Sequence, residues 1–162
     1  MPLGREKILE FVKNSNLIEN FDIDCLEGAG YDLRVWNAYR IRGHAFIGVK
    51  ERKNPHVEKI EYDIYTLKPG EYILVETLER VNMPKNLLAR ILPRSSIFRY
   101  GCSLFTAIVD PGYEGSLTIG MKNLSESEFR FERGSRIAQI VFERVDGMTS
   151  KYRGRYQGGN VI

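Results

Sequence analysis

Histidine and cysteine are scarce in this chain of 162 residues: His44 and His56, Cys25 and Cys102. There is no CxxC pair, and two isolated residues of each kind build no recognisable zinc site. That excludes the zinc-deaminase arrangement, which needs a His/Cys/Cys ligand set. A Ser-His-Asp triad is equally short of histidine. No apolar run approaches the roughly 18 residues of a membrane-spanning helix. Met1–Lys7 lacks a signal-peptide pattern, and the lone thiols suit a reducing compartment, so the cytoplasm is expected and a membrane is not. Neither sign of charge dominates: 24 Lys and Arg against 21 Asp and Glu give +3. That is too little to argue for duplex nucleic acid, which is not an expected partner. Any attraction for anions must therefore be local. No P-loop and no G-x-G-x-x-G fingerprint occurs.

What is present describes one globular domain over residues 1–162, with 43% hydrophobic and 28% charged residues. Gly4–Lys13 reads as a short helix, with Ile8, Leu9, Phe11 and Val12 apolar, and Asn14–Asn16 breaks it. It is the one convincing helix. Short strands and turns follow: Tyr31–Ile41, Glu71–Leu78, Leu87–Leu92, Ser103–Val109, Ser116–Lys122, Glu128–Glu132 and Arg136–Arg144. Strands at this spacing, separated by Gly, Pro and Asn, predict an all-β sandwich or barrel. Arg42–Asp63 is mixed and charged, a long hairpin or loop.

One stretch stands out, from Phe105 to Gly115. It sets Asp110 at the exit of an apolar strand, followed by Pro111, Gly112 and Tyr113. Pro111 pushes Asp110 towards extended geometry, and Gly112 supplies the positive φ of a tight turn. Such a turn can hold a water-orienting carboxylate beside a ring-stacking aromatic. Taken alone it reads first as an ordinary hairpin, since Asp, Pro and Gly mark turns everywhere. Asp32 starts a strand after the Gly28-Ala29-Gly30 turn: a second acidic group near a metal, or simply a strand start beside Arg34. Arg94, Ser95 and Ser96 follow an apolar strand and combine a guanidinium with two hydroxyls, a set that suits a polyphosphate or a solvated turn. Gln139 interrupts the run from Ile137 to Phe142 and needs a partner or a wet face. Gly120 lies within a strand, opposite the face of Leu117, Ile119 and Met121, where glycine often marks close approach. Residues 151–162 are basic, aromatic and Gly-rich: a frayed terminus, or an arm that folds over a ligand.

In this order the segments resemble the superfamily of trimeric dUTP diphosphatases and dCTP deaminases, from Gly28 to the C-terminus. GAGYDLR is similar to the first motif, PRSS to the second, AIVDPGYEG to the third, GSRIAQIVF to the fourth and YRGRYQGG to the fifth. The N-terminal helix and middle region look more like the archaeal and deaminase-type branch. The resemblance implies a distorted jelly-roll (β-clip, dUTPase-like) with a short N-terminal helix, and a homotrimer with shared active sites. It implies that Asp110 orients the hydrolytic water and that Tyr113 packs on the deoxyribose. By the same resemblance, Arg94, Ser95, Ser96 and Gln139 contact phosphate. Lys151, Tyr152, Arg155 and Gln157 belong to a mobile arm, 151–162, that closes over the nucleotide, and Asp32 holds water near Mg²⁺. Deaminases of this superfamily carry a Glu ten residues after the motif Asp; here that position is Gly120, which cannot shuttle a proton. Hydrolysis of dUTP to dUMP and diphosphate is therefore expected, with a dCTP deaminase or a bifunctional enzyme as the alternative. The tail, which lacks the Arg-Gly-x-Gly-Gly-Phe-Gly pattern of many diphosphatases, and Arg99, which matches a deaminase Arg, speak for that alternative.

Overall fold

A computed structural model describes residues 1–162. Helix α1 spans Arg5–Ser15. Ile8 is fully buried, and Leu9, Phe11 and Val12 pack on the core. The helix runs through Asn14 and Ser15 and is stopped by Asn16 alone, in the left-handed conformation at φ 51°, whose N–H reaches the carbonyls of Phe11 and Val12.

The strands are β1 (Ile18–Glu19), β2 (Tyr31–Arg42), β3 (Phe46–Ile47), β4 (Arg52–Lys53), β5 (His56–Lys59), β6 (Ile64–Leu67), β7 (Tyr72–Asn82), β8 (Leu87–Pro93), β9 (Cys102–Phe105), β10 (Ile108–Val109), β11 (Glu114–Asn123), β12 (Phe129–Glu132) and β13 (Arg136–Arg144). The main sheet runs β10-β8-β13-β2-β7-β11-β9, with β1 added on β7 and β5 on β2. Every pairing is antiparallel. Period-two alternation sorts the residues of each strand between the core and the outer face. On β7, Ile73, Val75, Thr77, Glu79 and Val81 face inward; on β11, Leu117, Ile119 and Met121 do the same. Thr118, Gly120 and Lys122 take the other face, as their spacing predicts.

Arg42–Asp63 is built on one long hairpin, as expected, with a one-residue register shift between its inner and outer ladders. It holds the tiny β3–β4 ribbon and then β5, which returns to pair with the end of β2. Its charged residues gave no period to read. A second helix, α2 (Ser95–Arg99), departs from the expectation of one helix. It is five residues long, too short for an apolar repeat, and begins at the Arg94-Ser95-Ser96 segment.

The centre of the sheet carries a buried charge. Glu79 is fully buried and accepts from Arg34 Nε at 2.6 Å, Arg34 N at 2.8 Å and Tyr31 Oη at 3.2 Å. A buried carboxylate is tolerable only when so partnered. These bonds lock β2 to β7 beside the Gly28–Arg34 segment.

Candidate active site

Asp110, Pro111, Gly112 and Tyr113 form a tight turn closed by a hydrogen bond from Tyr113 N to Asp110 O at 3.1 Å. Gly112 holds φ 77° at its third position, the geometry of a Pro-Gly type II turn. Two bonds to Met83, Gly112 N to Met83 O and Met83 N to Tyr113 O, tie it to the chain leaving β7. Asp110 is thereby presented, exposed, at the end of β10.

Asp110 stands between two cavities. One, about 360 Å³, is largely apolar and lined by Ile108, Tyr113, Leu117 and Tyr152 among others. The second, about 620 Å³, is lined by Ser150, Lys151 and Arg153 as well as Asp110. A flat apolar group fits the first and an anion the second, with the carboxylate at their junction. Tyr113 is buried, its hydroxyl donates to Ser116 O at 2.5 Å, and burial pushes its phenol up to about 12. Tyr152 meets it edge-on at 5.6 Å between ring centroids.

The C-terminal segment lies on this turn. Tyr152 N donates to Pro111 O at 2.9 Å, and Gly158 N to Glu114 O at 2.8 Å. Gln157 bridges the hairpin, accepting from Glu114 N at 3.1 Å and donating to Gly112 O at 3.2 Å. Lys151 pairs with Glu114 at 3.0 Å. Arg155 points elsewhere, to Asn54 at 3.1 Å. Arg153, not singled out in the sequence, lines the polar cavity; only its place in a basic tail signals it.

Asp32, Arg94 and Gln139 meet at a different place. Asp32 is buried, with Arg94 Nε at 3.0 Å and Arg136 Nη1 at 3.8 Å from one carboxylate oxygen. Burial raises the Asp32 carboxyl, and Arg94 opposes that. Gln139 pairs with Asp32 across β13–β2 and with Leu92 across β13–β8. Gly30 is required here: a Cβ would stand 2.9 Å from Ile140 O and 3.1 Å from Gln139 Cδ. Ser95 is exposed and Ser96 half-buried at the start of α2. Arg136 is a second guanidinium that the sequence reading passed over; its pairing with Asp32 is visible only in the fold.

These two groups are far apart within one chain. Val109 pairs with Ala89, so Asp110 lies at the Leu87 end of β8, while Arg94 follows its other end. Six residues of strand from Leu88 to Arg94 amount to about 20 Å.

The chain is similar to known proteins over most of its length. A family model described as dCTP deaminase-like matches residues 3–145. A dCTP deaminase of Pyrococcus furiosus is 36% identical over 148 residues, 91% of this chain and 88% of the relative. A probable deoxyuridine 5'-triphosphate nucleotidohydrolase of Aeropyrum pernix is 38% identical over 158 residues, 96% of each. Among solved structures, the 2'-deoxycytidine 5'-triphosphate deaminase of Agrobacterium tumefaciens aligns with a TM-score of 0.70 at 20% identity, over 89% of this chain. This chain spans about half of that one, 48%. The native EIAV dUTPase aligns with a TM-score of 0.54 at 17% identity, over 86% of this chain and 92% of that one. The structural likenesses bear out the all-β, dUTPase-like sheet with its short N-terminal helix. On the match over residues 3–145 and these relatives, the chain belongs to the dCTP deaminase-like family.

Proposed function

We propose that the protein hydrolyses dUTP to dUMP and diphosphate. The observation that carries this reading is Asp110, a carboxylate held on a rigid turn at the junction of an apolar and a cationic cavity. Asp110 accepts a hydrogen bond from a water and directs it in line at the α-phosphorus. The water oxygen–phosphorus bond forms, the bond to the bridging oxygen of the β-phosphate breaks, and diphosphate leaves as Asp110 takes the proton. The deoxyribose packs on Tyr113 and Tyr152. Lys151, Arg155 and Gln157 belong to the closing arm, 151–162. Arg94, Ser95, Ser96 and Gln139 hold phosphate oxygens, with Arg94 aimed by the buried Asp32.

Mg²⁺ is part of the reading. No three or more His, Cys, Asp or Glu side chains stand together; that donor set suits a cation carried on triphosphate oxygens and water, not a protein cage. Asp32, expected to hold water near that cation, is buried against Arg94 and Arg136 with its side chain 2% exposed, and its visible role is to aim Arg94. Bound on the triphosphate oxygens, the cation neutralises charge on the phosphates.

The stretch of β8 between the level of Asp110 and Arg94, about 20 Å of strand, supports a site shared between copies. So do the apolar side chains on the outer faces of β8 and β10: Leu92 and Ile108 are 49% and 52% exposed. A homotrimer with shared sites is the proposed assembly.

A second reading is deamination of dCTP, alone or with hydrolysis. The Pyrococcus relative's name favours it; Gly120 opposes it, since no titratable group stands at that position. The assay is direct. Purified protein with Mg²⁺ is offered dUTP and dCTP in turn, and diphosphate and ammonia are followed. Diphosphate from dUTP with no ammonia from dCTP is the expected result. Ammonia from dCTP overturns the reading of Gly120, and tight binding without turnover would leave an idle nucleotide-binding module.

A further inference from the structure

Gly120 is paired with Leu74 on one side and Phe105 on the other, with its missing side chain on the outer face of the sheet. The space above it is already filled. A Cβ at position 120 would run into the hydroxyl of Tyr72, with the ring carbons Cζ and Cε2 at 2.9 and 3.0 Å. Tyr72 pairs with Lys122 in the β7–β11 register and is thus the diagonal neighbour of Gly120. Its ring packs on Phe105 at 5.8 Å between centroids. Phe105 begins the run whose Ala107, Ile108 and Val109 line the apolar cavity, and Thr118, one pleat before Gly120 on the same face, lines it too. Gly120, with the Tyr72 hydroxyl over it, comes two residues after Thr118 on that face. Burial alone raises the Tyr72 phenol, with no hydrogen bond from the chain contributing. Tyr72 is 38% exposed, so its hydroxyl is a donor open to a ligand on the outer face.

Resting on the dUTP reading, we infer that Tyr72 is a specificity-determining residue: its ring closes the space over Gly120, and its hydroxyl donates to a carbonyl at the exposed edge of the pyrimidine. A uracil edge offers that carbonyl; a cytosine edge presents an amino group, which is itself a donor. Tyr72 and Gly120 then act as a pair. Glycine admits the phenol, and the phenol bars any larger residue at 120.

Four variants test this: Tyr72→Phe, Tyr72→Ala, Gly120→Glu and Tyr72→Ala/Gly120→Glu. Affinities for the non-hydrolysable α,β-imido analogues of dUTP and dCTP are measured by calorimetry, so no turnover is required. Tyr72→Phe keeps the ring and should narrow the dUTP-over-dCTP affinity ratio about 5-fold, the worth of one hydrogen bond. An unchanged ratio overturns the hydroxyl's role. Gly120→Glu should lower the thermal midpoint by about 2–4 °C through overpacking, and should have no such effect in the Tyr72→Ala background. An equal fall in both backgrounds overturns the pairing. Failure of the dUTP reading looks different: the wild-type protein would release no diphosphate from dUTP, whatever these ratios and midpoints show.

Discussion

Asp110, on the turn that follows β10, and Asp32, on β2, are carboxylates in opposite surroundings. Asp110 is exposed between two cavities and free to meet a water. Asp110→Asn keeps the shape and loses the proton acceptor, so dUTP turnover should fall by at least about 100-fold while binding changes little. Full activity in this variant, in a direct diphosphate assay, would remove Asp110 from the mechanism. Asp32 is buried against Arg94 and Arg136. Its carboxyl is raised, chiefly by burial, so the folded chain binds that proton more readily than the unfolded chain. Its contribution to stability is fully present below the unfolded value, near pH 4, and is lost as pH rises through the folded value. The thermal midpoint of wild type minus that of Asp32→Asn should therefore shrink as pH is raised across this window. A difference that grows with pH would mean that the guanidiniums, not burial, dominate at this site.

Among the elements, the C-terminal segment is tied to the body by bonds spread from Lys151 to Gly159. Gln157 contributes two of them, to Glu114 N and Gly112 O. Gln157→Ala should accelerate tryptic release of the tail, at Lys151, Arg153 or Arg155, about 5-fold without moving the midpoint of the sheet. The elements also differ in how far the sequence announced them. The β13 segment matches its predicted span, Arg136–Arg144, and β2, β7, β8, β11 and β12 fall within a few residues of theirs, because alternation and turn residues mark them. The predicted strand Ser103–Val109 divides into β9 and β10, since Thr106 and Ala107 leave the ladder, with Thr106 Oγ1 donating to Ile91 O. α2, five residues long, and the β3–β4 ribbon, two residues a side, are too short for a repeating pattern to stand out. In the site, Asp110, Tyr113 and Arg94 stand on turns that Pro and Gly make visible. Tyr72 was illegible: it is 48 positions from Gly120, and only the β7–β11 register brings the two together.

At the scale of the whole molecule, the separation along β8 makes a prediction that no point variant makes alone. Asp110→Asn and Arg94→Ala each disable one of the two groups. In a shared site the two lesions can fall on different copies, leaving some sites with both residues intact. Mixing the two inactive proteins after reversible dissociation should therefore restore dUTP hydrolysis, to a clear fraction of the wild-type rate. No recovery on mixing would place both groups in one chain's own site and remove the argument for sharing. The same strand has a further consequence. On the shared-site proposal, a chain with Asp110 and Arg94 about 20 Å apart along β8 would have no working site while alone. Catalysis is then coupled to mass action: below the dissociation constant of the assembly, specific activity falls with dilution, and the nucleotide bridging two copies becomes a ligand that draws them together. On that proposal the seven residues of β8 would tie turnover to the abundance of the protein itself.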